Sequence, residues 1–197
     1  MEGKKTGLII GILNMLLVAA CVAGCIYTLF AGMGTYYTIA AGVELLALVF
    51  SVLYFFFGYK KDAAKYYRLF MLFYAFTYVA EIFAGIFEYK NTGTIGVTQK
   101  VSYTIIVSMI LYGNALILAV GNNIGKTASY ILCGINIFAY ALPVLAVVIP
   151  GLEIVSFESR AVASASIILY VTWLILAFNA LLMTIAKYHD KDLRGTN

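Results

Sequence analysis

Apolar residues run along this chain in long blocks, and polar residues collect in the short intervals between them. Six blocks reach the roughly 20 helical residues needed to cross about 30 Å of hydrocarbon. They cover about 7–31, 37–58, 66–87, 101–121, 127–149 and 161–187. Inside the blocks, polar residues recur at helical spacing rather than in strand-like alternation. Tyr67, Tyr74, Tyr78 and Glu81 fall on one face of the third block. The pattern predicts an all-α integral membrane protein, a bundle of six transmembrane helices forming one domain over 1–197. The connectors are short except for Glu88–Lys100 and Pro150–Arg160, so no soluble domain is expected.

Composition agrees with the blocks. Hydrophobic residues make up 63% of the chain and charged residues 11%, and the mean hydropathy is +0.96. Soluble domains are nearer a quarter charged, so this chain has too little polar surface to coat a globule in water. The net charge of +4 does not point to nucleic acid, because the basic residues sit in connectors and tails. Their distribution predicts orientation instead. Lys4, Lys5, Lys60, Lys61, Lys65, Arg68, Lys126, Lys187, Lys191 and Arg194 would share one side, against Lys90, Lys100 and Arg160 on the other. That bias places both termini in the cytoplasm of a multi-pass cell-membrane protein. Val18–Cys21 and Val22–Cys25 resemble lipoprotein processing sites. The apolar run continues past both to Ala31, which favours a retained span.

Several chemistries are excluded by what the blocks contain. Cys21, Cys25 and Cys133 lie within apolar blocks and read as small packing residues. The single histidine, His189, lies beyond the sixth block, so a bis-histidine haem, a His-rich metal site and a Ser–His relay in the membrane are all closed. Gly121–Thr127 approximates a phosphate-binding loop but is one residue short and follows an apolar helix instead of a strand. No cofactor or metal is expected, and an enzyme is not the favoured reading. Small residues four apart, Gly7/Gly11, Ala20/Gly24 and Ala80/Ala84, predict close helix approach. Pro143 removes one backbone hydrogen bond in the fifth block. Tyrosines at block ends, Tyr67 and Tyr188 among them, read as an interfacial aromatic belt.

The candidate site comes from polar residues that lipid makes expensive. Glu44 lies about seven residues into the second block and Glu81 about six before the end of the third, each roughly 10 Å deep on the same side. Two charged carboxylates at that depth are disfavoured by desolvation and mutual repulsion. They call for a shared proton, a bound cation, a cationic substrate or hydration. Tyr74 and Tyr78 would line that site. Asn14, Asn114, Asn136 and Asn179, on four other blocks, would join helices or continue a path to the opposite side. Ala41–Leu45 can be laid on Cys133–Ile137, which sets Glu44 on Asn136, and Glu81 and Asn179 hold similar places in the third and sixth blocks. This correspondence predicts an inverted three-plus-three repeat, as in some transporters.

The leading expectation is a transporter, channel or substrate-binding transporter subunit for a small solute or cation. The alternative is a non-catalytic assembly subunit docking on a membrane partner or a second copy. An intramembrane enzyme acting on lipid ranks third, since no cluster of Arg or Lys marks a headgroup site.

Overall fold

Each apolar block corresponds to one helix, and each helix is as long as its block or longer. The elements are α1 (Glu2–Phe30), α2 (Thr35–Phe57), α3 (Ala63–Thr92), α4 (Ile95–Val120), α5 (Lys126–Val148) and α6 (Arg160–Arg194). The computed structural model describes residues 2–31, 35–57, 63–92, 95–121, 124–149 and 160–194. There is no strand among the described residues. The expected Glu88–Lys100 connector is helical over most of its length, because α3 runs on to Thr92 and α4 begins at Ile95. Hydropathy delimits what lipid tolerates, whereas a helix continues into polar sequence until something breaks it. By the same reasoning, His189, beyond the sixth apolar block, belongs to α6. The Pro150–Arg160 connector, Lys60 and Lys61 lie largely outside the described residues. Pro143 is inside α5, which continues past it to Val148.

Four helices are long and apolar enough to cross a membrane: Gly7–Phe30, Thr35–Phe56, Lys126–Leu145 and Ile167–His189. The apolar stretch of α4, Ile105–Val120, is shorter. In α3 the apolar run is diluted by Arg68, Glu81 and four tyrosines between Tyr66 and Tyr78.

The helices close into a ring. Each packs on its neighbours in chain order, α6 returns to α1, and α6 also reaches across to α3 and α2. The surface is apolar and the interior is partly polar. Phe30, Phe56, Phe138, Leu16 and Val120 are more than 60% exposed, whereas Asn14, Ser51, Asn179 and Thr184 have no exposed surface. That inversion suits lipid, where apolar side chains are at home outside and hydrogen bonds and tight packing hold helices together. Four such helices with such a surface mark a membrane protein.

The buried stripe of α3 shows how sequence spacing produces packing. Tyr67, Phe70, Met71, Tyr74, Ala75 and Tyr78 are each at most 1% exposed, and their spacing of three and four places them on one side. Phe70 stacks on Tyr74, and Tyr74 meets Tyr78 edge to face at 5.1 Å between centroids. At the far end, α1 and α6 nearly touch. A Cβ built on Gly24 would lie 2.0 Å from Thr172 Oγ1 and 2.9 Å from its Cβ and Cγ2. Gly24 therefore permits the approach expected of the Ala20/Gly24 pair. Tyr67 and Tyr188 differ from their expected interfacial role. They are 1% and 6% exposed, because the lengthened helices still pack on each other at that level.

Candidate functional site

The carboxylates of α2 and α3 are both buried, Glu44 at 2% and Glu81 at 5% exposure. Glu44, from α2, joins α1 and α6. Its Oε2 accepts from Cys25 Sγ at 3.1 Å and its Oε1 from Trp173 Nε1 at 2.6 Å. Glu81, from α3, joins α4 and α5. Its Oε2 accepts from Ser108 Oγ at 2.9 Å and its Oε1 from the Tyr140 hydroxyl at 2.8 Å. Sequence adjacency predicts that the two carboxylates face each other between α2 and α3. The hydrogen bonds instead turn each toward other helices, and an aromatic pair connects them. The Tyr140 and Trp173 rings lie 5.6 Å apart between centroids.

The chemistry of the donors sets where a proton can go. Indole N–H only donates, so Glu44 Oε1 stays an acceptor and a proton on this residue occupies Oε2, facing the Cys25 sulfur. The hydroxyls of Ser108 and Tyr140 can donate or accept, so either oxygen of Glu81 can carry a proton. Among the described residues, the hydrogen-bond partners of both carboxylates are neutral. The site can thus hold each carboxylate charged by donated hydrogen bonds or hold it as the acid, without rebuilding the surroundings.

One turn further in, Asn136 of α5 is a hub. Its Oδ1 accepts from Asn114 Nδ2 on α4 at 3.0 Å, and its Nδ2 donates to the hydroxyls of Tyr74 and Tyr78 on α3 at 3.4 and 3.3 Å. The Tyr78 hydroxyl donates to that of Tyr74, and the Tyr78 ring stacks on Tyr140 at 6.0 Å. Tyr74, Tyr78, Asn114 and Asn136 are thereby brought together beside Glu81. Asn14 and Asn179 form a separate cluster with Ser51 between α1, α2 and α6.

Beyond the hub, Tyr67 OH pairs with Thr184 Oγ1 at 3.1 Å, which also meets Cys133 Sγ. The Lys187 ammonium lies 4.3 Å from the Tyr67 ring centroid. From Tyr67 to Glu81 the polar column on α3 is about 21 Å long at 1.5 Å per residue. Among the described residues, no three His, Cys, Asp or Glu side chains gather as metal ligands.

Replacing Asn136 with leucine keeps the volume but leaves Asn114 Nδ2 without an acceptor. Thermal unfolding in detergent is expected to show a loss of about 1–2 kcal/mol. A double-mutant cycle with Asn114→Leu should return a coupling of about 0.6–1.7 kcal/mol, the range for hydrogen bonds between membrane helices.

Residues without a distinctive sequence signal complete the site. Trp173, Ser108, Cys25 and Ser51 are neutral donors, ordinary in a span, and only the uniqueness of Trp173 in the chain sets it apart. No protein-family model matches this chain, and neither a curated protein nor a solved structure is significantly similar to it.

Proposed function

We propose that this chain is a six-span cell-membrane carrier for a small cation, working alone or as the substrate-binding subunit of a transporter, with Glu44 and Glu81 as its charge-binding groups. The observation that carries this reading is the carboxylate pair itself. Two acids are buried among neutral donors and bridged by the Tyr140 and Trp173 rings, inside a bundle whose outer surface suits lipid. Carboxylates attract a cation directly, and the faces of Tyr and Trp favour an organic ammonium. A proton is the smallest ion that the same groups can take. Both termini are assigned to the cytoplasmic side by the distribution of Lys and Arg.

The hydrogen-bond pattern supports an inverted repeat of α1–α3 on α4–α6. Glu44 on α2 bonds to α1 and α6, and Asn136 on α5 bonds to α4 and α3. Glu81 on α3 bonds to α4 and α5. Asn179 on α6 meets Ser51 of α2, which also holds Asn14 of α1. Exchanging the halves maps each set of helices onto the other. Around the ring the helix packing repeats in the same order, while the close backbone contact of α6 with α2 has no counterpart between α3 and α5 among the described residues. In transporters built this way, one half rocks against the other around a central site. An assembly role is the second reading: Gly24 is already covered by Thr172, but a Cβ built on Gly42, Gly113 or Gly134 would meet nothing within 4 Å.

The test is uptake into proteoliposomes of the purified chain, with methylammonium and tetramethylammonium as probe cations under proton gradients of either sign. Uptake above the protein-free rate, dependent on the gradient, is expected. Rates equal to empty liposomes for both cations, with no dissipation of the gradient, would remove the carrier reading. Tags at the two termini should be protected from added protease in right-side-out cells.

A further inference from the structure

The hydroxyl of Ser51, on α2, stands between two amides. Its Oγ is 3.0 Å from Asn14 Oδ1 on α1 and 3.0 Å from Asn179 Oδ1 on α6, and none of the three residues has exposed surface. The bonding does not close. A hydroxyl has one proton, so Ser51 can donate to one amide oxygen and not to both. Asn14 Nδ2 and Asn179 Nδ2 are buried with no partner. Turning one amide lets its Nδ2 donate to Ser51 Oγ, but one Oδ1 and one Nδ2 are then left over. Turning both strands the Ser51 proton and both Oδ1 atoms. Every arrangement of the three side chains leaves at least two buried polar atoms unanswered, each at the cost of its lost hydration.

We infer that Asn14, Ser51 and Asn179 form a binding site for a water molecule at the junction of α1, α2 and α6. The guest must accept from an amide N–H and donate to an amide oxygen at once, and water does both. A monovalent cation would suit the oxygens and leave the nitrogens bare. An anion would suit the nitrogens and repel the oxygens. The fit beside the cluster is close. Gly11 lies one turn before Asn14, and a Cβ built on it meets nothing nearer than Phe55 Cδ1 at 3.8 Å. Phe55 lies one turn after Ser51. A separation of 3.8 Å is ordinary contact distance, so α1 meets α2 there without overlap, whereas it is pressed against α6 at Gly24. A water at the amides parts α1 slightly from α2. Asn136 makes the contrast. It is just as deeply buried, at 1% exposure, but its Oδ1 and Nδ2 both have partners, so it needs no guest.

The experiment is water-edited solid-state NMR of the whole chain in liposomes, with asparagine labelled with nitrogen-15 and water as the only guest offered. Single substitutions assign the side-chain signals. The Nδ2 signals of Asn14 and Asn179 are expected to receive magnetisation from water several-fold faster than that of Asn136. Ser51→Ala is expected to shift both fast signals and leave Asn136 unmoved. Transfer to Asn14 and Asn179 as slow as to Asn136 would overturn the site. So would fast transfer that requires added sodium or chloride, since an ion would then be the guest.

Discussion

Glu44→Gln and Glu81→Gln are each expected to lower gradient-driven cation uptake by about 100-fold while leaving the fold intact. The isosteric amide preserves every hydrogen bond now made. Gln at position 44 would accept from Trp173 through Oε1 and donate to the Cys25 sulfur through Nε2. At position 81 it would accept from Tyr140 and donate to Ser108, whose hydroxyl can reverse. What disappears is the negative charge and the ability to take a proton. Losing one partner of a buried charge pair costs about 3–5 kcal/mol, and 1.4 kcal/mol is a factor of ten, so about 100-fold is the lower end of the expected loss. Unfolding midpoints in detergent should move by less than about 1 kcal/mol equivalent. Glu44→Leu behaves differently. It strands Trp173 Nε1 and the Cys25 thiol, so it should reduce stability as well. Wild-type uptake in the Glu44→Gln, Glu81→Gln double variant would dismiss the carboxylates as the charge-binding groups.

The second large effect is structural. Gly24→Ala adds one methyl group where Thr172 Oγ1 would lie 2.0 Å away, well inside contact distance. The Thr172 side chain has little freedom to yield, because its hydroxyl is bonded to Ile168 O within its own helix at 2.7 Å and it is branched at Cβ. The two helices must separate or shift register, and overpacking of this kind costs about 1–3 kcal/mol. The shift would also pull Cys25 and Trp173 away from Glu44, since they flank the contact on α1 and α6. Thermal unfolding should show the loss. Thr172→Ala removes two of the three clashing atoms and should recover much of it, so a double-mutant cycle should give a favourable coupling. Additive losses would mean that the helices do not cross at Gly24.

The helices could be read from the sequence because lipid demands long apolar runs, and the expensive residues could be read because lipid penalises them. Glu44, Glu81 and the four asparagines all turn out to be buried for that reason. What could not be read was who meets whom. A span tells which face of α3 is polar, but not that Glu81 turns to Ser108 and Tyr140 instead of to α2. Contact partners depend on helix rotation and on the return of α6 to α1, and neither leaves a trace in hydropathy. Neutral donors such as Ser51 and Ser108 cost little in a span, so they carry no signal until a carboxylate or an amide is seen beside them. Helix ends were missed for a different reason. The polar stretch Glu88–Thr92 has no breaker, and hydropathy does not register a helix outside the apolar layer. The interior positions of Tyr67 and Tyr188 follow from the same extensions.

Trp173 is the only tryptophan in the chain, and its indole N–H rests on Glu44 at 2.6 Å with Tyr37, Tyr140 and Tyr170 around the ring. The molecule therefore carries its own optical reporter. Those neighbouring phenols can pass excitation to the indole, and the charge on Glu44 acts directly on its excited state. In the purified protein, the colour and yield of the emission follow events at that carboxylate without any attached dye.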